Sequence, residues 1–435
     1  MDQKYLVAIQ IGSTCVKGAV ATISSAADSS LSVVNVVEEP IHDSVIYGIV
    51  QNVRDVEGAV TNVINRIEER LKNRRVAHVY VGVDGRTFRA QPKTIEQNYF
   101  EEKEITARLI EEIRNSVTDS ENPQDQVIDV LAKSFVVDNV ETANPVGSFG
   151  SYVKANLTQL VCSNKLISNL ERVIPKSVTI TKYIAQQTAI ADVVLTDEEK
   201  QIGCMLVDLG SQTTAVSIYK KGVLQYLRTI PMGSRNITRD IARVFNVLEE
   251  KAEAYKLNPD SAPTTIDHKR LTDCINARSL EIVANIVAQL KFAGYTHNDI
   301  PAGLVLVGQG AKLDATTEYF RKRQLRFRFG LLNSSIKVVN PSIDISSSID
   351  VISILYDAAK IGIESTAMEE TPAVQGEINF DEKETENNED EPQGPARTTE
   401  RQHGPKWGVF KNIRNLMERV ERFSTQDDEP EDDNE

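Results

Sequence analysis

The chain has 435 residues, and its 49 Lys and Arg stand against 63 Asp and Glu, a formal net charge of −14. A hydrophobic content of 40% with 15 Pro and 22 Gly excludes collagen and a wholly disordered chain. The negative balance argues against general nucleic-acid binding, which needs clustered cations against phosphate. The charge is unevenly held: residues 366–435 carry 8 basic and 20 acidic groups, whereas the preceding 365 carry 41 and 43. A near-neutral body with ample core is expected, followed by a highly charged tail.

The opening MDQKYLVAIQIGS has no long apolar stretch, so no leader peptide is expected, and no run approaches transmembrane length. From there β-like runs alternate with helical ones: YLVAIQIG, SLSVVNVVEE, the helix VEGAVTNVINRIEERLKNRR and the strand VAHVYVGVDG. This order predicts an α/β fold. Residues 86–163 differ, with long β-like runs around one helix, EITARLIEEIRNSV, and read as an inserted α+β module. The helix NKLISNLERVI and the segment SVTITKYIAQQTAIADVVL follow, and a second α/β half begins at Gln201. Cys15, Cys162, Cys204 and Cys274 are far apart, without CxxC or nearby His, and read as isolated reduced thiols.

The two halves share a layout. VAIQIGSTCVKGAV (7–20) and MLVDLGSQTTAVSI (205–218) each run an apolar strand into a Gly, two positions after a polar residue. Ser, Thr or Gln fill the bend and a second apolar strand follows. Gly12 and Gly210 are therefore equivalent in a duplicated unit, and the pair predicts two β-hairpins facing across a cleft. Glycine lets such a turn aim consecutive N–H groups at phosphate oxygens. A third element, LVLVGQGAKLD (304–314), is a strand entering a turn with Gly308, Gln309, Gly310 and Ala311, small enough for a flat ligand to approach the backbone.

In the cluster EYFRKRQLRFRFG, Arg321, Lys322, Arg323, Arg326 and Arg328 read as a solvated helix end and edge strand. Further on, PKWGVFKNIRNLMERVERF (405–423) places Trp407, Phe410, Ile413, Leu416, Met417, Val420 and Phe423 at spacings of three and four, on one helix face. Lys406, Lys411, Arg414, Arg419 and Arg422 outweigh Glu418 and Glu421, a local net of +3. Bulky apolar groups beside cations suit an anionic membrane surface. An acidic, disordered linker (366–404) precedes this helix and an acidic tip (424–435) follows it.

The order of these motifs resembles the actin/Hsp70/sugar-kinase superfamily, and within it the FtsA family of actin-like bacterial cell-division proteins. IPMGSRNITRDIARVF (230–245), KAEAYK (251–256), residues 134–163 and the amphipathic helix carry the closer likeness. The resemblance implies a two-lobed actin-like ATPase fold, α/β, with an inserted 1C (SHS2-type) subdomain. Subdomain 1A would span 1–85 and 164–200, 1C 86–163, 2A 201–229, and 2B 230–300, with 301–365 completing 2A and returning to 1A. It also implies ATP with Mg²⁺: Gly12, Ser13, Thr14, Gly210, Thr213 and Thr214 near phosphates, with Gly233 in the same site. Glu253 and Lys256 would flank the ribose, although by residue type alone they read as a solvated helix face. Gly308, Gln309 and Gly310 would cradle the adenine.

Departures from the family pattern bear on chemistry. The first hairpin's usual carboxylate is Gln10 here, a late polar position of the second is Ala215, and a frequent Lys is Cys15. Lys17 lies on the same strand face as Cys15. Asp208 alone is then left to hold the Mg²⁺–water shell, so ATP binding with very slow or no hydrolysis is expected. The resemblance further implies a peripheral protein on the cytoplasmic side of the bacterial membrane at the division site. It would self-assemble, tether the FtsZ C-terminal peptide through 230–300 and recruit later division proteins through 86–163. The alternative is a PilM-like scaffold of a pilus or secretion machine; a sugar or acetate kinase lacks an identifiable substrate base.

Overall fold

The computed structural model describes residues 4–23, 31–71, 74–361 and 368–370. Residues 1–370 form one unit, while the segment 371–435, with the proposed membrane helix from Trp407 to Phe423, lies outside the described residues.

The chain opens with β1 (Lys4–Ile11) and β2 (Cys15–Ile23), an antiparallel hairpin closed around Gly12–Thr14. Both strands are buried on both faces, which accounts for their continuous apolar runs. β3 (Leu31–Pro40) pairs with β2. A short hairpin of β4 (Val45–Ile46) and β5 (Ile49–Val50) turns through Tyr47 and Gly48, both at positive φ (52° and 83°), as tight hairpins require. α1 (Val53–Arg70), capped by Asn52, buries Val56, Val60, Val63, Ile64 and Ile67 on one stripe. It lies so close to β2 that a Cβ at Gly18 would stand 2.3 Å from Val63 Cγ1. β6 (Arg74–Val76) and β7 (His78–Val83) follow, β7 parallel to β1.

The next segment holds the longest strands: β8 (Arg89–Glu104), β9 (Asp125–Val137), the short β10 (Val140–Thr142) and β11 (Phe149–Ser163). α2 (Ala107–Asn115) packs on them, and Ile105, Ile113, Phe135, Val153 and Leu157 form a core separate from the rest. α3 (Asn164–Val173), β12 (Thr179–Ala185), α4 (Gln186–Val194) and α5 (Asp197–Ile202) lead onward.

A second hairpin, β13 (Cys204–Leu209) and β14 (Thr214–Lys220), is followed by β15 (Val223–Ile230). α6 (Arg235–Phe245), α7 (Glu249–Leu257) and α8 (His268–Phe292) pack on one another and on this sheet. β16 (Leu304–Val307) runs parallel to β13, then α9 (Asp314–Lys322) leads to β17 (Phe327–Phe329). The chain returns through β18 (Ile336–Val338) and α10 (Ile345–Lys360) to the first sheet. β19 (Met368–Glu370), at the head of the expected acidic linker, pairs with β6.

Two large sheets result, ordered β12-β7-β1-β2-β3-β18 and β10-β9-β11-β8-β15-β14-β13-β16-β17. The long antiparallel strands join the second sheet through one pair, Arg89 with Arg228. β17 is an edge strand, as its basic sequence suggests, and Arg328 there grips Glu199 (Nε–Oε1 2.6 Å). Among the described residues no helix is long and apolar enough to cross a membrane.

Candidate functional site

The two glycine hairpins close in the same way. Gly12 N–H donates to Cys15 O at 2.9 Å, and Gly210 N–H donates to Thr213 O at 2.9 Å. At either glycine a Cβ would stand 3.1 Å from that carbonyl. Both turns line one cavity of about 280 Å³, with Gly12, Ser13 and Thr14 on one side and Gly210, Ser211 and Thr213 on the other. Gly308 and Gln309 continue the wall after β16, and Glu253 reaches it from α7.

Four anticipated residues stand behind this wall. Thr214 donates its hydroxyl to Met232 O at 2.7 Å. Gly233 presses on the second hairpin, where a Cβ would be 2.4 Å from Ser211 O. Gly310 lies under Leu209, with 2.0 Å from its own would-be Cβ to Leu209 Cδ2. Lys256 is buried, one helical turn from Glu253, with Nζ 2.7 Å from Glu253 Oε1 and 3.1 Å from Thr238 Oγ1. Burial pulls the Lys256 pKa down against the pull of Glu253.

The polar heart of the cavity joins the anticipated Asp208 to groups that no motif announced. Asp84, at the end of β7, and Asp208, in β13, both face it. Gln187 joins them: its Nε2 donates to Asp208 Oδ2 at 2.9 Å, and its amide lies near Asp84. Thr229 Oγ1 donates to Asp84 Oδ1 at 3.5 Å. Burial, then the neighbouring Asp84, pushes the Asp208 carboxyl up to about 7, and burial raises that of Asp84. The N-terminal part of α10 adds Ser346, Ser347 and Asp350.

Lys17 Nζ is 2.8 Å from Asp350 Oδ2 and also donates to Ser347 O. Burial lowers the Lys17 pKa, but Asp350 outweighs it and the net direction is up. Gln10 is 8% exposed, and its Oε1 is buried without a hydrogen-bond partner. Asp208 was expected as the one carboxylate facing the phosphates; Asp84 and Asp350 line the same wall. One signal was available for Asp84, a carboxylate before a Gly at the carboxyl end of a buried parallel strand, where α/β sheets bind ligands. Asp350 had none, since it sits mid-helix.

Across the cavity mouth the halves are tied. Gln212 Oε1 accepts from Tyr47 N–H at 3.1 Å, and Arg235 reaches Asp43 at 2.8 Å while also pairing with Glu249 at 2.8 Å. Among the described residues, Lys17 is the single cation of the wall against Asp84, Asp208, Glu253 and Asp350. Such a surface accepts a polyanion only together with cations.

Two lobes built on duplicated hairpins, with a glycine turn at the cleft between them, define an actin-like fold. Among solved structures, the type IV pilus PilM–PilN complex shares this fold with a TM-score of 0.57 at 15% identity, covering 83% of this chain and 99% of that one. Residues 205–425 match the family model "Cell division protein FtsA", and the chain belongs to the FtsA family. Cell division protein FtsA of Porphyromonas gingivalis is 28% identical over 337 residues, 72% of this chain and 69% of that protein. The Bacillus subtilis FtsA is 24% identical over 365 residues, 78% and 80% of the respective chains.

Proposed function

We propose that the protein binds ATP with Mg²⁺ in this cavity and, so loaded, assembles on the cytoplasmic face of the bacterial membrane, where it tethers FtsZ. The observation that carries the reading is the pair of identically closed hairpin turns opening on one cavity. Gly12, Ser13, Thr14, Gly210 and Thr213 would offer N–H and hydroxyl groups to the phosphates. Glu253, held by Lys256, would meet the ribose, and Gly308 and Gln309 the base. Gly308 supports this, because only a residue without Cβ lets this turn pack against Asp208 and Leu209 while lining the cavity.

The donor set suits Mg²⁺ held through water. Among the described residues no three carboxylate, His or Cys side chains form a cage, and Mg²⁺ favours one or two carboxylates plus phosphate oxygens. The cation would neutralise phosphate charge and bring the polyanion past the acidic wall. Hydrolysis would be slow, because Gln10 can neither carry negative charge nor accept a proton from water at neutral pH.

Residues 230–300 would meet the FtsZ C-terminal peptide. The 86–163 module, with its own core, would be subdomain 1C, meeting neighbouring protomers and later division proteins. The helix from Trp407 to Phe423 would hold the protein peripherally on anionic lipid. The test is binding of a labelled FtsZ C-terminal peptide to the full chain, read by anisotropy. Saturable binding, weakened by charge reversals on the surface of α6 and α8, is expected; no binding would overturn the tether.

A further inference from the structure

Among the described residues, no Lys or Arg forms an ion pair with Asp84 or Asp208. Lys17 is committed to Asp350 and Lys256 to Glu253. Asp208 is met instead by a neutral donor, the Gln187 amide, which also lies near Asp84. Like charges held this close in a buried wall repel, and an amide cannot neutralise them. Asp84 closes a strand of the first sheet and Asp208 lies in the second, so the repulsion acts across the cleft. A third group points to what is missing: Gln10 Oε1, more than nine-tenths buried in the same wall, has no donor. An amide oxygen without a donor and two carboxylates lining one cavity are an all-oxygen set of the kind hard divalent cations select.

We propose that Asp84 and Asp208 together seat one divalent cation, a carboxylate from each lobe, so that Asp84 supplies the charge Gln10 lacks. This rests on the reading of the cavity as a nucleotide site. The cation then does two things in one place: it bridges the lobes and it admits the polyphosphate.

The experiment titrates MgCl₂ against binding of a fluorescent ATP analogue to the full-length wild type, D84N, D84E and D208N. In the wild type, affinity should climb with Mg²⁺. In D84N the Mg²⁺ concentration for half-effect should rise about tenfold or more, the scale of losing a metal-site carboxylate. In EDTA, D84N should bind the analogue more tightly than wild type, because one negative charge has gone. A residue that merely props up the fold would weaken both. If circular dichroism shows D84N unfolded, D84E decides: its displaced carboxylate should shift the half-effect in the same direction by several-fold. A half-effect unchanged in these variants, with D208N impaired, overturns the shared seat and leaves the nucleotide reading standing. Failure of the wild type to bind the analogue at any Mg²⁺ concentration overturns both.

Discussion

Gly308 carries two constraints at once. Its φ of 82° lies in the left-handed region, and a Cβ there would stand 2.4 Å from Leu209 O. Backbone cannot yield as a flexible side chain can, so Gly308→Ala should cost about 1–3 kcal/mol in the denaturant midpoint. It should also weaken nucleotide binding, because the strained turn moves against the second hairpin. Gly12, Gly210 and Gly308 were legible because a glycine after an apolar strand has a local meaning. Asp84 and Gln187 were not: their convergence depends on β7, α4 and β13 meeting in space, and no spacing along the chain records that. Gln10 was legible as a lost charge but not as an amide oxygen left without a donor.

The element that sequence reasoning passed over is α10. Its run ISSSIDVISILYDAAK is polar in the first turns and apolar later, and the two parts do different work. Ile349, Ile352, Ile354 and Leu355 are buried, and a Cβ at Gly82 on β7 would stand 2.4 Å from Ile354 Cδ1. That packing delivers Ser346, Ser347 and Asp350 to the cavity. At its other end Lys360 reaches Asp192 on α4 at 2.5 Å, and Lys200 reaches the same carboxylate at 2.8 Å. Burial pushes the Asp192 carboxyl up, but the two lysines outweigh it and hold it below its usual value. A carboxylate depressed in the folded state stabilises at neutral pH, and that contribution is lost as pH falls through the folded pKa. Lys360→Met should therefore lower stability by about 1 kcal/mol at pH 7, since Lys200 remains and the pair is partly exposed. The gap to wild type in urea melts should close below pH ~3.8, the ordinary Asp value; a gap independent of pH would assign the loss to packing. By contrast α1 and α2 were readable from their periodicity, because each lays one continuous apolar stripe on a sheet.

At the scale of the molecule, the duplicated hairpin made the two-lobed plan legible from about 200 residues of separation, since each copy is a local motif. The continuity of the long antiparallel strands with the second sheet was not legible. It rests on one backbone pair, Arg89 with Arg228, that nothing in either segment advertises. The charge partition belongs to this scale too. With residues 366–435 carrying 8 basic and 20 acidic groups, the basic stretch 405–423 is bracketed by acid. Trp407 is the single tryptophan of the chain, so tryptophan fluorescence, excited selectively over the tyrosines, reports on that stretch alone. Its emission should shift to the blue on adding anionic vesicles, and the shift should shrink as NaCl is raised. Neutral vesicles should give less, because the cations of the segment then have no counter-charge. Absence of a shift on anionic vesicles would remove the membrane claim.

The four cysteines are free and buried, and of these Cys15 lines the cavity. Burial pushes its thiol up to about 12, so in neutral solution it offers a reagent neither access nor thiolate. Its alkylation in the folded protein should therefore be slow, and slower still when a ligand fills the cavity that it lines. The chain thus carries a built-in reporter: mass spectrometry of Cys15 after timed alkylation, with and without nucleotide, should read occupancy of the cavity with no label to engineer, and a rate unchanged by nucleotide would deny it that use.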